Sequence, residues 1–440
     1  MISKYLTIIA AVILTSFYFF PFEFVFLPGV NTKMMMAVVS LVILVVNLAK
    51  KQLGAIDKDF FVLCLFALSV SFATLFSVFY NNTRDYTYVT YIISMLVWVG
   101  GAYTLVTFIK WVHGKVSVSI MTYYLIATCV MQCLLAVAIN NFPVVYSFCC
   151  LFCDGFSTMR ELIGDEGRLY GVGCSFDPAG IRFAAVMVIM GYFFPKIVSK
   201  YKGKPLVVIL YIVSFVIISV IGNMIARTTT VGMGMALFYV AYSLRPRTLG
   251  NVSETNLLFK WVAFLFVISV IVIVPWYYYS SEFRNSFQFA FEGFFSLFES
   301  GKWEVHSNEM LYGSFNVLPE SLETWVIGDG YIFDTTLDPY YIGKVYKEYY
   351  MGIDVGYLRF IFYSGVIGLG AFIIFMFKAA SICMSRHKEY GLMFLLLFVL
   401  QLAVWVKVAT DIFCVFALFV VFDSITSDDS PTNENGMQEA

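Results

Sequence analysis

Long apolar runs recur through almost the whole of this chain, and they leave it few ways to fold. A segment in hydrocarbon has no water to satisfy its N–H and C=O groups, so it must close its own hydrogen bonds, as a helix does. A bilayer core about 30 Å thick takes roughly 20 apolar residues per helix. Runs of that order lie near residues 5–20, 34–49, 60–80, 86–109, 116–139, 180–195, 205–225, 229–244, 257–278, 355–377, 390–406 and 408–422. Only 13% of the 440 residues are charged, against roughly 25% in soluble domains. The expected fold is therefore all-α: a polytopic membrane helix bundle of about twelve transmembrane helices. A long, partly helical outer loop precedes the tenth. The first run follows Lys4 and lacks a small-residue cleavage site before Pro21, so it reads as an uncleaved helix.

Charge in the short connections sets the expected orientation. With the N-terminus inside, the inner loops carry Lys50, Lys51, Lys58, Lys110, Lys115, Lys196, Lys200, Lys202, Lys204, Arg245, Arg247, Lys378, Arg386 and Lys388. The short outer loops carry little beyond Lys33, Arg84, Arg227 and Lys407. Residues 1–423 are then the integral membrane domain, with outer loops at 140–179 and 279–353. The acidic, polar residues 424–440 form a disordered cytoplasmic tail. No Gly-x-x-x-x-Gly-Lys loop is present, so no internal ATP engine is expected. Asp57-Lys58-Asp59 reads as a solvated turn before a span.

The nine cysteines divide by this topology. Cys64, Cys129, Cys133, Cys383 and Cys414 fall in or near spans, as small packing residues. Cys149, Cys150, Cys153 and Cys174 fall in the first long outer loop, where a disulfide is open to them. That loop holds no histidine, and no metal site is expected.

The stretch from Trp276 to Asp354 is polar where its surroundings are not. Ser286–Phe298 has the spacing of an interfacial helix, His306–Leu318 that of a second one, and Gly328-Asp329-Gly330 reads as a turn. A tyrosine-rich run follows, including Tyr341, Tyr350 and Tyr357. It is either an interfacial aromatic belt or a platform whose rings and hydroxyls meet sugars. His306 alone of the three histidines shares this side with the long loop, and imidazole suits a general base. Glu304, Glu309 and Asp354 are rival bases.

Five arginines sit near the same surface: Arg160, Arg168, Arg182, Arg227 and Arg359. A charge in hydrocarbon costs on the order of 3 kcal/mol unless paired, so such residues are candidates for function. The competing reading is structural pairing, Asp177 with Arg182 or Asp354 with Arg359. Lys407 and Asp411, four apart, are expected to pair on one helical face. A guanidinium fork matches phosphate oxygens. Arginines converging from separate segments would suit a lipid-linked diphosphate.

The order of features resembles the O-antigen polymerase and O-antigen ligase family of bacterial envelope enzymes. Gly167-Arg168-Leu169-Tyr170-Gly171 leads to Asp177-Pro178-Ala179-Gly180, and Ala226-Arg227-Thr228-Thr229 joins two spans. Trp325-Val326-Ile327-Gly328-Asp329-Gly330 then precedes Asp354-Val355-Gly356-Tyr357-Leu358-Arg359 and Gly365-Val366-Ile367-Gly368-Leu369. The similarity covers roughly the last 60% of the chain. The family often has Pro-Asn where this chain has Pro178-Ala179, and a histidine near the position of Asp354. The resemblance implies a glycosyltransferase of the bacterial inner membrane that needs no metal or other cofactor and joins undecaprenyl-diphosphate-linked glycans on the outer face. Polymerisation of repeat units is favoured. Catalysis is expected from His306 or Asp354, diphosphate binding from Arg168, Arg182, Arg227 and Arg359, and glycan binding from Tyr341, Tyr350 and Tyr357. The expected partners are the bilayer, the lipid-linked glycan and a chain-length regulator, with no nucleic acid. A ligase that moves finished glycan to lipid A-core or protein is the nearest alternative. A lipid-linked oligosaccharide flippase, or a pore or scaffold, belongs to a different class.

Overall fold

The structure, a computed structural model, describes residues 2–49, 57–163, 168–243, 252–302, 304–333 and 349–422. Among the described residues, eight helices are long and apolar enough to cross a membrane by length and composition. They are α2 (Thr32–Ala49), α3 (Lys58–Tyr80), α4 (Tyr91–His113), α5 (Val118–Asn141), α8 (Phe176–Lys200), α9 (Pro205–Ile225), α11 (Val252–Tyr279, from Phe259 onward) and α16 (Gly356–Arg386). The other four expected runs are helical without a comparable span: α1 (Ile2–Phe19, apolar over Tyr5–Phe19), α10 (Thr229–Ser243), α17 (Gly391–Val404) and α18 (Phe413–Val420). All twelve runs are thus helical, but full-length spans account for eight. Helices α6 (Pro143–Phe152), α7 (Phe156–Ile163), α12 (Ser281–Ala290), α13 (Glu292–Ser300), α14 (His306–Phe315) and α15 (Leu322–Val326) belong to the connections. A small antiparallel hairpin pairs β1 (Glu23–Phe24) with β2 (Leu27–Asn31).

Burial orders the bundle. Helix α8 is central, with 83% of its apolar window buried, whereas none of the window of α11 is. Between helices in lipid there is little hydrophobic drive, so close packing rests on small residues. A Cβ added to Gly232 of α10 would come within 2.3 Å of the Ala184 backbone, and one on Gly191 within 2.7 Å of Ala236 Cα. Glycine at both positions is what lets α8 and α10 touch along their length.

Arg386 fastens one end of the bundle. It bonds to Asp57, Asp59 and the Val420 carbonyl, joining the start of α3 to the ends of α16 and α18. The Asp57-Lys58-Asp59 turn is therefore a clamp, with Asp57 also capping α3 through Phe60 N–H at 2.9 Å. The polar loops gather at the other end. The expected interfacial helix at 286–298 is present as two, α12 and α13, which meet at Phe291. The expected tail at 424–440 lies outside the described residues.

Candidate functional site

Two of the quoted motifs, some fifty residues apart, form one knot at the loop end. Asp177 Oδ1 accepts from the Thr228 hydroxyl at 2.9 Å. A Cβ on Gly180 would stand 2.8 Å from Ala226 Cβ and 2.9 Å from Thr228 Cβ, so the start of α8 lies directly against the α9–α10 junction. Leu169 N–H bonds the Met224 carbonyl at 3.0 Å, and Thr230 Oγ1 bonds Asn223 Oδ1 at 2.6 Å. These bonds pin the tight Ala226-Arg227-Thr228 turn and its flanks against the start of α8 and the Leu169 segment. Asp177, occupied by Thr228, forms no ion pair with Arg182.

Phe289 of α12 organises two guanidiniums. Its ring centre is 4.4 Å from Arg227 Cζ and 4.9 Å from Arg168 Cζ, and Arg168 also lies 5.1 Å from the Phe176 ring centre. An aromatic face attracts a cation by about 0.5–2 kcal/mol according to its desolvation. Arg227 is ion-paired with Glu292 at the start of α13, its own side chain 15% exposed against 36% for Glu292. Lys407 lies within electrostatic reach of Arg227, Arg168, Asp177 and Asp354. Arg227, Glu292 and Lys407 line a cavity of about 260 Å³ whose remaining wall is largely apolar, including Val231, Phe294 and Val404. Arg227 and Lys407, from two distant segments, thus share one recess, and Phe289 gathers Arg168 beside Arg227.

Lys407 reaches it because the chain breaks there. A 14-residue α17 rises about 21 Å at 1.5 Å per residue, well short of the hydrocarbon thickness of about 30 Å. Residues 405–412 then run without α-helix before α18 returns. Irregular backbone at such depth must be satisfied by protein. The buried Gln401 does much of this, donating to the Thr410 carbonyl at 2.7 Å and accepting from Ile412 N–H at 2.7 Å. Trp405 Nε1 also donates to Thr410, Tyr88 to the Ala409 carbonyl and Tyr18 to that of Cys414. The expected Lys407–Asp411 pair is therefore absent, because the two residues share no helix. Asp411 instead accepts from Phe413 N–H and faces Tyr91, Lys33 and Arg182.

The late motifs form a second knot. Helix α16 is broken at Ser364 and Gly365, the latter at φ 63°. The freed carbonyls of Phe362 and Tyr363 accept from Asp329 and Gly330 N–H at 2.6 and 3.1 Å. Asn81 and Thr83 at the end of α3 hold the Gly328 and Gly330 carbonyls. The Gly-Asp-Gly turn is thus the plug of a broken helix, and Gly328 at φ 85° has no room for a Cβ beside Ser364 N. Arg359 is buried and committed here: it bonds Asp354 at 2.5 Å and the Ile353 carbonyl at 2.8 Å, with Tyr349 stacked 3.1 Å from Cζ. The structural pairing considered for Asp354 and Arg359 is the arrangement found.

The remaining predicted residues disperse. Tyr350 donates to Asp329, and Tyr357 donates to the Leu402 carbonyl with its ring on Trp405, so both brace the loop end from within. Tyr341 lies outside the described residues, as does the side chain of His306, whose backbone opens α14 one residue beyond Val305 on the recess wall. Arg182 lines a different, larger cavity of about 850 Å³. All nine cysteines are free thiols, and burial pushes Cys153 up to about 12, which keeps it an unreactive thiol. Phe289 and Glu292 were not singled out from the sequence, and Lys407 was read only as the partner of Asp411. For Lys407 a signal existed: a cation between two apolar runs too short to span.

No family model, curated protein or solved structure matches the chain.

Proposed function

We propose that the protein polymerises undecaprenyl-diphosphate-linked oligosaccharide repeat units at the outer face of the bacterial inner membrane. The observation that carries this reading is the recess lined by Arg227 and Lys407 beside an apolar wall, with Arg168 next to Arg227 on the Phe289 ring. A lipid-linked diphosphate has the matching form: two phosphates for the cations, a polyprenyl chain for the apolar side and the bilayer. Arg227 exchanges its Glu292 partner for phosphate oxygens when the donor enters. An acceptor sugar hydroxyl attacks the anomeric carbon, the new glycosidic C–O bond forms, and the bond from that carbon to the diphosphate oxygen breaks. The hydroxyl proton passes to His306, which opens the helix beside the recess. Asp354, held by Arg359, is a positioning residue in this account rather than the base. The diphosphate leaves as an anion, and preorganised cations stabilise the charge developing on it.

The folded helices between Ser281 and Val326 favour an enzyme over a flippase, which needs no such cover. The test is the surface glycan of a deletion strain complemented with variants. Arg227→Ala and Lys407→Ala should leave single repeat units on the surface carrier while the protein remains in the membrane. Full-length polymer with either variant rules out this diphosphate site. Long chains left on the lipid carrier identify a ligase instead.

A further inference from the structure

The cavity of about 850 Å³ lies apart from the cation recess and shares none of its lining. Its size is that of a small-molecule site. Phe22, Phe333 and Tyr349 offer aromatic walls, and Asn31 and Thr158 polar ones. Arg182, from the second turn of α8, also lines it. Arg182 Nε is buried without a hydrogen-bond partner, and its guanidinium lies 5.6 Å from the Trp98 ring centre, with Lys33 Nζ 4.2 Å from the same ring. Asp411 is the carboxylate within reach of both cations. Two half-buried positive charges, of which Arg182 alone lines the chamber, therefore share the carboxylate of Asp411 behind its wall. A charge withdrawn from water with incomplete compensation is costly, and a ligand carrying one anionic group would give Arg182 a further partner on the chamber side. Glu23 and Asp154 also line the chamber. They belong to the hairpin seam, where Asp154 N–H bonds the Glu23 carbonyl, and they suit sugar hydroxyls as acceptors.

We infer that this chamber binds a sugar bearing a carboxylate, a uronic acid residue of the acceptor glycan, with that carboxylate on Arg182. The assignment rests on the proposed function only for the word acceptor. The binding itself is measurable without any lipid-linked donor, so the two can fail separately. The experiment is saturation-transfer NMR on the purified full chain in nanodiscs, with the methyl glycosides of glucuronic and galacturonic acid beside those of glucose and galactose. One added ion pair of about 1.4 kcal/mol makes at least one uronide bind about tenfold more tightly than its neutral counterpart. The uronide methyl esters should behave as the neutral sugars, an arm that needs no protein variant. Arg182→Gln should erase the difference and Arg227→Gln should keep it. Equal binding of acid and neutral sugars, no binding of either uronide, or a difference lost in Arg227→Gln but not in Arg182→Gln overturns the assignment.

Discussion

Gly356 opens α16 directly beneath the break that carries Lys407, and replacing it with alanine tests whether that break is built as described. A Cβ there would lie 2.6 Å from the Val408 carbonyl carbon and 2.7 Å from the Trp405 and Val408 oxygens. Ordinary contact begins near 3.4 Å, so residues 405–408 must retreat by about 0.8 Å. Overpacking against backbone costs about 1–3 kcal/mol. Loosening the 3.0 Å bond from Tyr357 N–H to the Trp405 carbonyl costs about 1 kcal/mol more. A loss of about 2–4 kcal/mol is expected, read as a lower melting temperature in nanodiscs. The same retreat moves Lys407, and a misplacement near 1 Å costs on the order of a hundredfold in rate. Gly370→Ala is the internal control. It lies in the same helix with nothing within 4 Å of its added Cβ, and the substitution should gain up to about 1 kcal/mol of helix propensity. If Gly356→Ala melts and turns over like the parent, the 405–412 break does not rest on α16 and the placement of Lys407 is wrong.

Other outcomes follow from the same packing. Gln401→Leu removes two polar contacts of the break, to the Thr410 carbonyl, which keeps Trp405 Nε1, and to Ile412 N–H, which loses its acceptor, and should cost about 2–4 kcal/mol in thermal melting; an unchanged melt contradicts its bracing role. Asp354→Asn leaves Arg359 buried without its ion-pair partner and should cost about 2–3 kcal/mol, with partial recovery in the Asp354→Asn, Arg359→Gln double variant. An Asp354→Asn protein that melts normally but no longer turns over would make Asp354 the base.

The sequence located the helices well and their depths poorly. Hydropathy reports how apolar a segment is, so the runs at 390–406 and 408–422 read as two spans. What shortens them is Gln401 and Thr410 satisfying a loop inside the bundle, a tertiary arrangement no window average detects. That misreading also hid Lys407, because a spacing of four from Asp411 means a pair only on a continuous helix. The Gly328-Asp329-Gly330 turn was legible, but not the two knots that pin remote segments together. Five arginines were placed near the loop end as candidates for one site. Yet Arg227 and Arg168 are gathered by Phe289, Arg359 is spent on Asp354, and Arg182 serves another chamber. Which partner an arginine takes depends on chain crossings that sequence spacing does not encode.

The central claim is that the recess lined by Arg227 and Lys407, with Arg168 beside it, holds the diphosphate of a donor that is joined to a second copy of itself. The direct measurement is to incubate purified protein in nanodiscs with a defined undecaprenyl-diphosphate-linked repeat unit and to read the products by mass. A ladder of lipid-linked oligomers spaced by one repeat unit is predicted for the parent chain, with a rate lower by about 10²–10³ for Arg227→Ala. An unextended repeat unit with the parent chain, or an unchanged ladder with Arg227→Ala, would contradict it.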